Sequence, residues 1–191
     1  MKKIIAILLA GVMALGLFGC GKSQPEQVDP DTVYYADIEI ADYGTITVKL
    51  DQTAAPITVE NFVNLANDGF YEGLTFHRII AGFMMQGGQG ATPPDSIVGE
   101  FTSNGYENPL KHTRGAISMA RTPDPNSASS QFFIVHEDSP HLDGDYACFG
   151  YVTEGMDVVD AVCQAAQPSD NNGTISADQQ PVITTITIRK A

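Results

Sequence analysis

The chain has 191 residues, 43% hydrophobic and 17% charged, which suits one domain with a hydrophobic core and excludes a disordered or fibrous class. Asp and Glu number 23 against 10 Lys and Arg, a formal net charge of -13. With no basic cluster to grip phosphates, nucleic-acid binding is excluded as well, and the acidity reads as a solvated surface.

In chain order, "MKKIIAILLAGVMALGLFGC" opens with Lys2 and Lys3 and continues as an apolar run from Ile4 to Phe18. That is the layout of a secretion signal, and the run is short for a spanning helix. Its end, Leu17 to Cys20, resembles the lipobox of bacterial lipoproteins, in which the cysteine is lipidated and becomes the mature N-terminus. A retained anchor with an incidental cysteine is the alternative. On the first reading residues 1–19 are a signal peptide and residues 20–33 are a lipidated, flexible tether. The polar "GKSQPEQVDPDTV", with Pro25 and Pro30 and no periodicity, suits that role, and residues 34–191 form the domain.

Within the domain, "YYADIEIADYGTITVKL" alternates on both sides of Asp42-Tyr43-Gly44 and predicts a two-stranded hairpin. "PITVENFVNLANDGF" predicts a helix, with Pro56 in the first turn, Val59, Phe62, Leu65 and Ala66 on one face, and Gly69 as its stop. "LTFHRII", "FMMQG", "GAISMA", "QFFIVH" and "YACFGYV" predict short strands, and "GMDVVDAVCQAA" a second helix. "VITTITIRK" is the last strand. Many short strands with two separated helices predict a closed antiparallel barrel capped by the helices, because closure removes exposed edges. The segment from Gly87 to Thr113 lacks periodicity, and loops of that length in a compact domain are usually functional. Cys148 and Cys163 are too few for a disulfide framework and are expected as buried thiols, with a bridge between them as the alternative.

Four motifs in order, "FHRIIAGFMMQGG", "LKHTRGAISMAR", "NSASSQFFIV" and "HLDGDYACFGYV", resemble the cyclophilin family of peptidyl-prolyl cis-trans isomerases, over about Tyr35 to Arg189. The resemblance implies an eight-stranded barrel with two helices and a shallow groove for proline-containing peptides and unfolded secreted proteins. It implies an enzyme that turns X-Pro bonds. Taken with the signal-like start and lipobox, the expected role is to assist folding outside the cytoplasm while lipid-anchored to the bacterial cell membrane, as a monomer without cofactor or metal. By motif match Arg78 is the catalytic arginine, Phe83, Met84, Phe133 and Leu142 form the proline cup, and Gln86 bonds the substrate backbone with support from Gln131. Ala120 and Arg121 fall where the family pins an extended substrate.

The residue chemistry agrees independently. An unpaired guanidinium does not belong in a core strand, whereas an apolar, aromatic cup suits a pyrrolidine ring that has no N–H to satisfy. In "QFF" the two phenylalanines face opposite sides of a strand, so one can serve the core and the other the groove. His77, beside Arg78, points to the opposite face and is expected in a supporting role.

Two positions depart from the best-known family pattern. His141 stands where many members carry tryptophan, and Tyr146 where they carry a groove histidine, which together imply reduced sensitivity to cyclosporin. His77, His112, His136 and His141 show no metal-ligand spacing. Glu100 and Glu107 are a weak candidate for an acid/base pair. A binding module or holdase using the same groove with little turnover is the alternative function; it would need the apolar cup but not the arginine, so Arg78 favours the enzyme.

Overall fold

The computed structural model describes residues 27–191; the expected signal peptide, residues 1–19, and residues 20–26 of the expected tether, Cys20 among them, lie outside the described residues. From Asp29 to Val33, still within the segment read as tether, the chain is already bonded to the domain. Asp29 N donates to the Tyr34 hydroxyl at 3.0 Å, and Ala191 N donates to the Val33 carbonyl at 2.9 Å.

The predicted elements form in order: β1 (Tyr34–Ile40), β2 (Gly44–Leu50), α1 (Pro56–Asn67), β3 (Phe76–Ile80), β4 (Met84–Gly87), β5 (Ala116–Met119), β6 (Phe132–Val135), β7 (Cys148–Glu154), α2 (Met156–Ala165) and β8 (Ile183–Lys190). Alternation in β1 buries Tyr34, Ala36, Ile38 and Ile40, and the hairpin turn places Asp42 in the left-handed region at φ 67°, which an aspartate tolerates. Helix α1 has Pro56 in its first turn but no side-chain cap of its own. The cap comes from far along the chain: Glu100, 2% exposed, accepts from Ile57 N at 3.1 Å and from Thr58 N and Thr58 Oγ1, both at 2.7 Å. Glu100 thus satisfies orphan donors at a helix N-terminus, and Glu107 is exposed elsewhere, so the two do not make an acid/base pair.

The eight strands form one antiparallel sheet in the order β3-β4-β6-β5-β7-β2-β1-β8. The sheet curls into an open half-barrel, which corrects the expected closed barrel. Its edge strands β3 and β8 meet in an isolated bridge, Thr75 to Val182, just outside both strands. Closure would need a ladder between them, but the outer edge of β3 is already bonded to another segment. Ile79 N donates to the Gly173 carbonyl at 2.8 Å, and Ile175 N donates to the His77 carbonyl at 3.0 Å. A covered edge is protected as well as a closed one.

The main core fills the concave side and gathers Phe62 and Val59 from α1, Val159 and Val162 from α2, and Phe76, Phe132 and Phe149 from the sheet. Phe132 meets Phe62 edge to face at 5.5 Å and 89°. Cys148 and Cys163 are buried free thiols, each pushed up to about 12 by burial. Strands β5 and β6 are buried on both faces, because a second apolar cluster of Met84, Ala116, Phe133, Val135, Leu142 and Cys148 covers their other side. That second cluster is the floor of the site.

Candidate active site

Strand register builds the site. Arg78 on β3 lies opposite Gln86 on β4, Gln86 lies opposite Phe133 on β6, and Phe133 lies opposite Ser118 on β5. Directly opposed residues share a face, so one row crosses four strands: cation, amide, aromatic ring, hydroxyl. Phe132, one position earlier, faces the main core, as the alternation requires.

Above this row is a cavity of about 150 Å³. Phe83, Met84, Phe133 and Leu142 supply its apolar wall, Arg78 and Gln86 its polar edge, and Ala120, Arg121 and Tyr146 its far side. A smaller cavity of about 120 Å³ adjoins it, sharing Gln86, Ala120 and Arg121 and adding Thr122, Ser127, Ser129 and Gln131. Of the residues singled out in the sequence, His141 is not among those lining the cavity; its exposed ring lies 5.4 Å from that of Phe83, which is. His77 does not line the cavity. Its Nδ1 is buried without a hydrogen-bond partner, and burial, then the neighbouring Arg78 charge, holds its pKa below the ordinary histidine value.

Arg78 is held in place. Its Nε donates to the Asn172 carbonyl at 2.7 Å and its Nη1 to Gln86 Oε1 at 3.3 Å, while Gln86 Nε2 donates to Gln131 Oε1 at 2.9 Å. The loop that presents Asn172 is shaped by Asp170, whose Oδ1 accepts from Thr174 N at 3.0 Å and Asn172 N at 2.9 Å. These bonds, Thr174's first, keep the Asp170 carboxyl below its usual range. Gly173 follows at φ 84°, and a Cβ there would lie 2.5 Å from the Ile80 side chain and 2.7 Å from the Ile79 carbonyl, so only glycine lets the loop approach β3 this closely.

Behind Phe133 stands a support that sequence reading missed. His112, 1% exposed, stacks on the Phe133 ring at 6.0 Å and 17°. Its Nδ1 is 3.0 Å from Asp143 Oδ1 and its Nε2 3.0 Å from Ser118 Oγ. An ionised carboxylate only accepts, so Nδ1 carries the proton and Nε2 accepts from the Ser118 hydroxyl. Burial keeps the His112 pKa below the ordinary value, against the pull of Asp143, and the ring stays neutral. The available signal was the co-occurrence of "KHT" and "LDGD" in the quoted motifs, but nothing in one dimension pairs His112 with Asp143.

Arg121 Nε donates to the Asp145 carbonyl and its Nη1 to the Thr122 carbonyl, both at 2.9 Å. Its guanidinium lies over the rings of Tyr146 at 4.6 Å and Phe101 at 5.1 Å. Among the described residues no group of three or more His, Cys, Asp or Glu side chains is placed to hold a metal ion.

The model of the cyclophilin type peptidyl-prolyl cis-trans isomerase family matches residues 35–191. The chain is 45% identical over 133 residues to peptidyl-prolyl cis-trans isomerase A of Dickeya dadantii, a match covering 63% of this chain and 67% of that one. It is 46% identical over 122 residues to peptidyl-prolyl cis-trans isomerase B of Bacillus subtilis, covering 62% and 82%. Among solved structures, a cyclophilin type isomerase of Cryptosporidium parvum superposes with a TM-score of 0.71 at 28% identity, over 82% of this chain and 98% of that one. The same Cryptosporidium parvum protein has also been crystallised in the presence of the dipeptide Ala-Pro, with a TM-score of 0.70. A family match over nearly the whole described domain, the shared fold and the groove just described lead to one assignment: the chain belongs to the cyclophilin-type peptidyl-prolyl cis-trans isomerases.

Proposed function

We propose that this isomerase is a lipoprotein, anchored through Cys20 to the outside of a bacterial cell membrane, where it speeds X-Pro rotation in exported proteins as they fold. The anchoring part of the reading rests on the basic start, apolar run and terminal "LFGC" of residues 1–20. The catalytic part rests on one observation: an arginine fixed by neutral acceptors at the edge of an apolar cup.

The X-Pro amide is planar through resonance, with a barrier of roughly 18–20 kcal/mol. Rotation makes and breaks no covalent bond, so catalysis reduces to favouring the twisted amide over both planar forms. The cup of Phe83, Met84, Phe133 and Leu142 holds the proline ring still. The substrate carbonyl swings, the prolyl nitrogen becomes pyramidal, and its lone pair is freed from resonance. Arg78 then donates to that nitrogen, a hydrogen bond stronger in the twisted state than in either planar one. Asn172 and Gln86 hold the guanidinium beforehand, so little reorganisation is required as the amide turns. Gln86 and Gln131 pin the flanking peptide, since an amide can both donate and accept.

Two measurements test the reading. Full-length protein in detergent should accelerate isomerisation of a proline peptide in a protease-free assay. Mass spectrometry of the membrane fraction should find an acylated N-terminal Cys20, and a Cys20→Ser variant should remain unprocessed. A wild-type N-terminus at Met1 without an acyl mass on Cys20 would overturn the lipoprotein reading in favour of a retained anchor.

The departures at His141 and Tyr146 give a separate expectation. In the family the tryptophan position donates an indole N–H to cyclosporin, whereas His141 offers a smaller, exposed ring against Phe83. The natural protein should bind the inhibitor weakly, and His141→Trp should tighten binding by roughly five- to tenfold, the value of one net hydrogen bond. An inhibition titration of both proteins decides the matter; equal affinities would remove this wall from the account.

A further inference from the structure

We propose that Arg121 makes the groove selective for substrates with an acidic side chain, Asp or Glu, close to the turning proline. The inference rests on the reading of the groove as the isomerase site and adds the class of substrate.

The starting observation is charge pairing. The chain has four arginines in a formal net charge of -13, so carboxylate partners are plentiful. Arg114 takes Asp160 at 2.8 Å, and Arg189 is paired with Asp37. Arg78 and Arg121 have no carboxylate within ion-pair distance among the described residues and bond neutral oxygens and, for Arg78, a thioether sulfur. Both uncompensated guanidinium groups line the same groove. Arg78 is committed to the turning amide. Arg121 lies beyond the proline cup and has no part in that step.

Its placement suits recognition of an anion. Nε and Nη1 are each fixed by a backbone carbonyl, and the plane is held over Tyr146 and Phe101. Two of the five N–H groups are engaged in this way, which leaves three for a ligand. Because the side chain is already fixed, a partner does not have to overcome the rotamer entropy that weakens most surface ion pairs. Arg121 also lines the adjoining small cavity, whose other walls, Thr122, Ser127, Ser129 and Gln131, are polar. An apolar neighbour of proline gains nothing from that wall. A carboxylate gains a charge-assisted hydrogen bond, about twice as strong as a neutral one.

The test uses full-length protein in detergent and peptides with a single proline, carrying Glu, Gln or Lys in turn at each of the two positions on either side of it. At one position or more, kcat/KM for Glu should exceed that for Gln by roughly three- to tenfold, with Lys lowest. In Arg121→Gln the Glu/Gln ratio at that position should fall to about one or below. No position with a preference for Glu in the natural protein would overturn the proposal, whether or not the variant folds. A preference that persists unchanged in folded Arg121→Gln would overturn it too, since the charge would then be read by another group. Turnover of none of the peptides, neutral ones included, would defeat the isomerase reading itself and the proposal with it.

Discussion

Arg78→Ala should lower kcat/KM for proline-peptide isomerisation by about 10²–10³-fold, the usual loss when one preorganised donor is removed from a site of charge development. The fold should survive. Arg78 is half-buried at the edge of the second cluster, and its partners are the Asn172 carbonyl on an exposed loop and the Gln86 amide, which retains Gln131. Arg78→Lys should recover little, because an ammonium is a point charge without the fork that bonds Asn172 through Nε and Gln86 through Nη1. Protease-free exchange kinetics on each variant, with a thermal unfolding scan as the folding check, is the measurement. A folded alanine variant with near-normal turnover would take the chemistry away from Arg78.

Phe133→Ala should cost both activity and stability, about 3–5 kcal/mol of the latter if the site does not collapse. Phe133 is 4% exposed, stacks on His112, meets the Tyr146 ring edge to face at 5.9 Å and belongs to the second apolar cluster. Its loss would also leave the Asp143–His112–Ser118 line without the ring it supports. Phe133→Leu separates the two effects. A branched aliphatic side chain fills much of the same space, so stability should largely return, while turnover should stay low because the flat face of the proline cup is gone. Denaturant unfolding and isomerisation rates on the two variants give the comparison. A loss under about 1 kcal/mol in the alanine variant would mean that Phe133 is not part of a packed wall.

The sequence by itself determined the order and type of the elements. Alternation around Asp42-Tyr43-Gly44 and the 3.6-residue spacing in α1 and α2 are signals between near neighbours, and burial on one face is enough to make them legible. It also singled out Arg78, Gln86, Phe83, Met84, Phe133 and Leu142, which line one cavity in the fold. An apolar run that carries Arg78 and Gln86 conflicts with its surroundings unless those polar groups face a ligand, and the ordered motifs tied that conflict to one family.

Partners distant along the chain were decided by the tertiary structure. Alternation predicts strands but not whether the last of them closes on the first. Here residues 173–175 occupy the edge of β3 and leave the sheet a half-barrel. In one dimension Glu100 is half of a weak acid/base pair with Glu107; its place 42 residues away from Thr58, at the bare start of α1, makes it a cap. The Asn172 carbonyl that fixes Arg78 lies 94 residues from it, and Asp143 lies 31 from the histidine it orients. Serine, asparagine and buried histidine are too common for such pairings to stand out in one dimension. Their roles arise from the strand register and the tight turn at Gly173, which bring together groups with no local reason to meet.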